Sequence, residues 1–113
     1  MAYYLSFDLP TSVNQMYRRT RYTVVLSNEA MAWKQYAIVM ARRQWELDTP
    51  LTGAVAVTYR FFGSRMDWDN PCKLLGDALN GVVWKDDKQI IEAHVYVNRT
   101  DKDKRVEVEV QEL

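Results

Sequence analysis

Acidic residues, an asparagine and a lysine crowd one short stretch, Met66-Asp67-Trp68-Asp69-Asn70-Pro71-Cys72-Lys73-Leu74-Leu75-Gly76-Asp77. Acidic residues return at Trp84-Lys85-Asp86-Asp87. Asp67 and Asp69 lie two apart, and in extended backbone that spacing puts both carboxylates on one side, with Trp68 facing the other way. Two carboxylates so close repel unless a cation lies between them. Asn70-Pro71 marks a helix start, because a proline there lacks only an N–H that has no partner in the first turn. The helix N-terminus adds partial positive charge nearby. Lys73 follows one turn after Asp69 and Asn70, within reach of a phosphate, and Lys73 and Asp77 have the spacing of an i,i+4 pair. Ligands of oxygen alone suit Mg²⁺ or Mn²⁺ rather than zinc. The same residues also have a plain structural reading: Asp-x-Asp before a helix serves as a cap, and Asp-Asp in a loop as turn chemistry.

Other chemistries find little footing. Cys72 is the only cysteine, which excludes an internal disulfide framework and a multi-cysteine zinc site and fits a reducing cytosol. It stands in a first helical turn, where a thiol can be acidified, but no histidine partner accompanies it. His94 is the only histidine, on a predicted strand beside Glu92, and reads as surface or packing. There is no glycine-rich phosphate loop and no Gly-x-Ser-x-Gly elbow. Tyr17, Arg18, Arg19, Arg21 and Tyr22 interleave arginines with tyrosines, which suits phosphate and base contacts, or equally a solvated loop with snorkelling side chains. With 15 basic and 15 acidic residues the net charge is zero. That argues against a surface that grips nucleic acid all round, and leaves room for a local basic path. The N-terminus lacks the basic residues of a secretory leader, and no apolar run approaches the ~20 residues of a membrane span.

The elements that must hold the acidic residues can be read from periodicity. In 113 residues one domain with its own core is expected. Tyr3 to Leu9 reads as a strand stopped by Pro10. Thr11 to Asn28 shows no sustained period and reads as a long loop with a short extended piece at Tyr22 to Leu26. Ser27 is placed to cap a helix whose stripe is Ala30, Trp33, Ala37, Met40, Ala41 and Gln44, running to about Leu47 and closed by Asp48-Thr49-Pro50. Ala54 to Phe62 is apolar on both faces, so it belongs inside a sheet. The helix from Pro71 to Asn80 buries Leu74, Leu75, Ala78 and Leu79, and Gly81 ends it. After the connection Val82 to Lys88, Gln89 to Val97 is a strand with Ile91, Ala93, Val95 and Val97 on one face. Asn98 to Lys104 is a polar turn. Arg105 to Val110 alternates cleanly and is expected to pair antiparallel with the strand before it. The fold expected is α+β (mixed α/β), a small mixed sheet of about four strands packed with two helices. A parallel crossover from Ala54 to Val97 would bring Asp86 or Asp87 back toward Asp67 and Asp69.

At these residues the chain resembles the RusA-type Holliday-junction resolvases, small endodeoxyribonucleases of bacteria, prophages and phages. The resemblance is carried by Asp67-Trp68-Asp69-Asn70, then Lys73, then Asp77, then Asp86-Asp87 followed by Gln89-Ile90. Leu9-Pro10, Asn14-Gln15-Met16-Tyr17-Arg18 and Ser27 before a helix extend it over nearly the whole chain. An arginine often precedes the first motif aspartate; here Met66 does, with Arg65 one earlier. The resemblance implies a cytoplasmic homodimer that nicks four-way DNA junctions in pairs, in recombination and repair, using Mg²⁺, with Mn²⁺ as a substitute. It implies Asp67, Asp69 and Asp87 as metal-binding catalytic carboxylates and Lys73 as a catalytic or DNA-contacting residue. Arg18, Arg19, Arg21 and Asn70 would lie against DNA, with Asp86 and Asp77 as secondary candidates. Two other readings stand beside it: a metal nuclease for other branched DNA, and a non-catalytic DNA- or protein-binding module whose aspartates are caps and turns.

Overall fold

In a computed structural model of the chain, residues 1–9, 17–19, 24–26, 28–64 and 69–113 are described, the backbone alone for 17–19, 24–26, 69 and 70. The strands are β1 (Ala2–Asp8), β2 (Tyr17–Arg19), β3 (Val24–Leu26), β4 (Val55–Phe62), β5 (Ile90–Asn98) and β6 (Arg105–Glu112); the helices are α1 (Asn28–Gln44) and α2 (Asp69–Ala78). A 3-10 turn, Asp87–Gln89, opens β5. Four strands form one sheet in the order β1-β6-β4-β5. This is the mixed sheet with two helices that the periodicity predicts. Among the described residues, no helix is long and apolar enough to cross a membrane.

Alternation decides the buried face. Tyr3, Leu5 and Phe7 of β1 stand opposite Val110, Val108 and Val106 of β6, which in turn oppose Val57, Tyr59 and Phe61 of β4. All nine are buried, and the two helices supply Ala30, Trp33, Ala37, Ala41, Leu74, Leu75 and Ala78 to the same core. The other face of the sheet is polar and ion-paired. Arg60 bonds Glu109 at 3.0 Å, and Arg105 bonds Glu107 at 3.1 Å while lying over the Phe62 ring.

The expected partner of β6 is corrected. It does not pair with β5; it inserts between β1 and β4, antiparallel to both. Alternation sets which face of a strand is buried and says nothing of its neighbour. β5 pairs instead with β4, in parallel, so β4–α2–β5 is the crossover that the spacing allowed. The register slips between Val55↔Ile90 and Ala56↔Glu92, so Ile91 has no partner on β4 and stays 68% exposed. Ile91 therefore does not join Val95 and Val97 against the core, as its spacing predicted.

Three boundaries also differ. The stretch from Thr11 to Asn28 contains a small antiparallel ladder, Tyr17↔Leu26 to Arg19↔Val24. Three residues are too few to show a period of two. The first helix stops at Gln44 rather than near Leu47, because Trp45 packs its ring on Tyr3 at 4.9 Å and gives its indole N–H to the Thr49 carbonyl. The second helix runs Asp69–Ala78, beginning and ending two residues earlier than Pro71 to Asn80. Pro71 is thus its third residue, still among the first N–H positions that lack an intrahelical acceptor. Ser27, the expected cap of α1, lies outside the described residues.

Helix α1 is fixed along the outer edge of β1 by side chains that complete the edge strand. Gln44 accepts from Ser6 N–H and donates to Ser6 C=O, both at 2.8 Å. Tyr36 Oη accepts from Asp8 N–H at 2.9 Å, and Trp33 Nε1 donates to Asp8 C=O at 2.8 Å. This explains why Gln44 shares the apolar stripe of α1: its amide is a stand-in for a fifth strand.

Candidate active site

Helix α2 lies between β4 and β5 in the chain, and its position is set from both sides of the crossover. At the exit from β4, Gly63 adopts φ +70, the left-handed region that favours glycine. Its N–H donates to Asn98 C=O at 2.6 Å. A Cβ there would lie 2.6 Å from the Asp101 carbonyl oxygen. Arg99 Nη1 donates to Ser64 C=O at 3.2 Å, and Ser64 is buried. The turn between β5 and β6 thus holds the two residues that lead into the first acidic motif.

At the other end, Leu79 and Val82 to Trp84 are buried. Val83 C=O accepts from Leu51 N–H at 2.8 Å, which ties the connection to the strand entrance of β4. Trp84 is fully buried and donates its indole N–H toward Gly76 C=O at 3.3 Å and Asn80 Oδ1 at 2.9 Å. Gly81, at φ +82, takes the left-handed turn that lets the chain leave the helix. Three residues beyond Trp84, Asp87 comes to rest on α2. Its Oδ2 lies 3.5 Å, and its Cβ 3.7 Å, from where a side chain on Gly76 would begin.

The two adjacent aspartates have different surroundings. Asp86 is exposed and caps the 3-10 turn: its Oδ1 accepts from Lys88 N–H at 2.9 Å. That backbone N–H, then the bond with Asp87, hold its carboxyl below the ordinary range. Asp87 is half-buried. Burial first, then the bond and negative charge of Asp86 and the charge of Asp77, push its carboxyl above the ordinary range. Tyr59, buried on β4, also titrates above its ordinary value, through burial and then the nearby Cys72 and Asp87. Asp87 thus stands on Gly76 with the negative charge of Asp86 and Asp77 nearby, which is a fitting place for a cation.

Positions 69, 73 and 76 follow one another at i, i+4 and i+7 and share one face of α2. The Cα levels of 69 and 76 differ by roughly 10 Å along the axis at 1.5 Å per residue. A helical side chain leans toward the N-terminus, so the space above Gly76 that Asp87 fills lies on the side of Cys72 and Lys73. Lys73 is exposed. Among the described residues the ion pairs are those of Arg60, His94 and Arg105, so the Lys73–Asp77 pair that the spacing allowed is not made.

The crossover thus seats Asp87 on the helix that also carries Lys73, Asp77 and the backbone of Asp69. Asp69 is helical, so the extended-backbone argument for two carboxylates on one side does not apply to it. Asp67 and Arg21 lie outside the described residues. Arg18 and Arg19 are on β2, and Asn70 is in the first turn of α2, described by backbone only. Among the described residues, no three of Asp, Glu, His and Cys gather closely enough to hold a metal ion. The carboxylates of Asp87 and Asp77 are oxygen donors, of the kind that suits Mg²⁺ or Mn²⁺ and not a soft metal. His94 is on the surface, 3.7 Å from Glu92, as its sequence setting predicts. Sequence reasoning passed over Trp84 and Gly63. The signal was there in principle: a tryptophan in a polar connection, and a glycine directly after an apolar strand.

A family model described as endodeoxyribonuclease RusA matches residues 8–111, which takes in both acidic motifs and every element of this site. Among curated proteins, none matches the chain.

Proposed function

The chain belongs to the RusA endodeoxyribonuclease family, and from that membership we propose that it is a divalent-metal-dependent nuclease that nicks four-way DNA junctions. Asp67, Asp69 and Asp87 would hold Mg²⁺, or Mn²⁺ in its place. The observation that carries the reading is the seat of Asp87 on Gly76, on the same face of α2 as Lys73 and position 69. A carboxylate from the second acidic motif has been brought to the helix that carries the first.

When bound, the cation would supply polarisation of a phosphodiester and a more acidic water. The chain's own groups do the rest. Asp87 presents a carboxylate from a half-buried position where neighbouring negative charge favours a cation. Lys73, exposed on the same face of α2, would supply an ammonium suited to the charge that develops on the phosphoryl oxygens. Hydrolysis breaks the bond from phosphorus to the 3′ oxygen and leaves a 5′-phosphate and a 3′-hydroxyl. Arg18, Arg19 and Arg21, with Asn70, would hold the flanking backbone, which positions the DNA without reading its sequence. A two-fold homodimer would provide two such sites for paired nicks. Asp86 is left out of the ligand set, since its carboxylate is engaged as a cap.

The deciding experiment is cleavage of a synthetic four-way junction, with linear duplex, flap and fork substrates alongside, with and without Mg²⁺. Metal-dependent paired nicks in the junction are expected. Equal cutting of all branched substrates would shift the reading to a general branched-DNA nuclease, and Asp69→Asn with wild-type activity would sink the site.

A further inference from the structure

Gln89 uses all of its amide. Its Oε1 accepts from Lys85 N–H at 2.8 Å and Asp86 N–H at 3.0 Å. Its Nε2 donates to Leu51 C=O at 2.8 Å and Gly53 C=O at 2.9 Å. Two donors meet one end and two acceptors the other, so the orientation of the amide is fixed by its partners. A glutamine amide has two N–H groups and two acceptor lone pairs, and all four are occupied here. Nothing is left to bind a ligand directly.

The four bonds join two parts of the chain that are far apart in sequence. One pair lies inside the turn that carries Asp86 and Asp87. The other crosses to the segment that enters β4, 38 and 36 residues away. The turn itself is only three residues long and carries no buried residue. It has no core packing of its own to hold Asp87 on Gly76. The planar amide supplies the missing restraint, and Trp84 anchors the approach from the helix side.

We propose that Gln89 is the positioning residue for Asp87, fixing by its four backbone hydrogen bonds where that carboxylate stands on the face of α2. This rests on the reading of Asp87 as a metal-holding group. Gln44 provides an internal control. It too spends its amide on backbone, at Ser6, but on the β1 edge away from the acidic motifs.

The test compares Gln89→Met, Gln89→Asn and Gln44→Met in the full chain. Calorimetric titration with Mn²⁺ alone and thermal unfolding without metal are the readouts. Gln89→Met is expected to weaken Mn²⁺ binding about tenfold, the lower end of what loss of a ligand-orienting group typically does. Junction nicking by that variant should recover toward the wild-type rate at saturating Mn²⁺. Gln89→Asn keeps an amide but is one methylene too short to span both segments, and should weaken Mn²⁺ binding as well. Gln44→Met should lower the unfolding temperature and leave Mn²⁺ affinity unchanged. Unchanged Mn²⁺ affinity in the Gln89 variants, whatever their unfolding temperatures, overturns the proposal; should the methionine variant not fold, the asparagine variant decides by the same criterion. A wild-type chain that binds no Mn²⁺, or Asp87→Asn binding it as tightly as wild type, overturns the functional reading and the role of Gln89 with it. That failure is read on different proteins and cannot be confused with the first.

Discussion

Where β4 leaves the sheet, Gly63 and Ser64 are held by the β5–β6 turn through backbone and Arg99; where β5 enters it, Asp86 to Gln89 are held by a side-chain amide and a buried indole. The two ends of one crossover are thus secured by different means. The first depends on a backbone conformation that only glycine takes at ease. The second depends on side chains, each of which can be exchanged while the backbone remains allowed. Damage at the first end should therefore appear as lost stability, and damage at the second as lost placement of a carboxylate. The same contrast separates Asp86, spent on the turn itself, from Asp87, presented to the helix.

The largest effect is expected at Asp87. Asp87→Asn should lower junction nicking about 100-fold or more, since even groups that merely orient a ligand are worth 10- to 100-fold. Its folded-state carboxyl lies above the ordinary range, so ionisation opposes folding and stability falls as pH rises from the unfolded to the folded value. The asparagine variant should accordingly melt no lower than wild type at neutral pH. A variant that loses both activity and stability would erase the distinction between the two ends.

Gly63→Ala comes next. The left-handed φ and a Cβ placed 2.6 Å from a carbonyl oxygen act together, and a loss on the order of 3 kcal/mol in denaturant unfolding is expected. Gly76 offers a graded test on one position. Alanine there meets Asp87 at ordinary contact distance, 3.5 Å, and should stabilise the helix by up to about 1 kcal/mol while keeping Mn²⁺ affinity. Leucine must displace the carboxylate, and Mn²⁺ affinity should fall about tenfold. Equal metal affinity in the alanine and leucine variants would mean that Asp87 does not act from this seat. The smallest effect is at Asp86: Asp86→Ala should lower the unfolding temperature only slightly, as a lost cap, with Mn²⁺ affinity unchanged. A larger loss of metal affinity at Asp86 than at Asp87 would exchange their roles.

Much of this arrangement was legible in the residues. The parallel crossover follows from a strand, a helix and a strand with apolar stripes of the right periods, and Leu74, Leu75, Ala78 and Leu79 all proved buried. Asp86 and Asp87 were readable as the echo of the first motif, but not which of the two turns toward α2. That depends on a cap made with Lys88 N–H and on contact with a glycine, neither of which has a periodic signal. The neighbour of β6 was not legible either, because Val106, Val108 and Val110 alternate identically beside any strand. Nor was the work of Gln89: a polar residue at a strand start looks the same whether its amide meets solvent or four backbone groups.

The place of β6 has a consequence for the order in which the molecule can assemble. Tyr3 hydroxyl and Glu112 carboxylate are bonded across 109 residues, so β1 finds its sheet partner only through a very long loop closure. The crossover that carries the acidic motifs needs only the segment between β4 and β5, a far shorter loop and a smaller entropy to lose. Contacts that close short loops form early, and those that close long ones form late. The half of the sheet with the candidate site can therefore gather first, and β6 joins it to β1 afterwards, as the last seam to close.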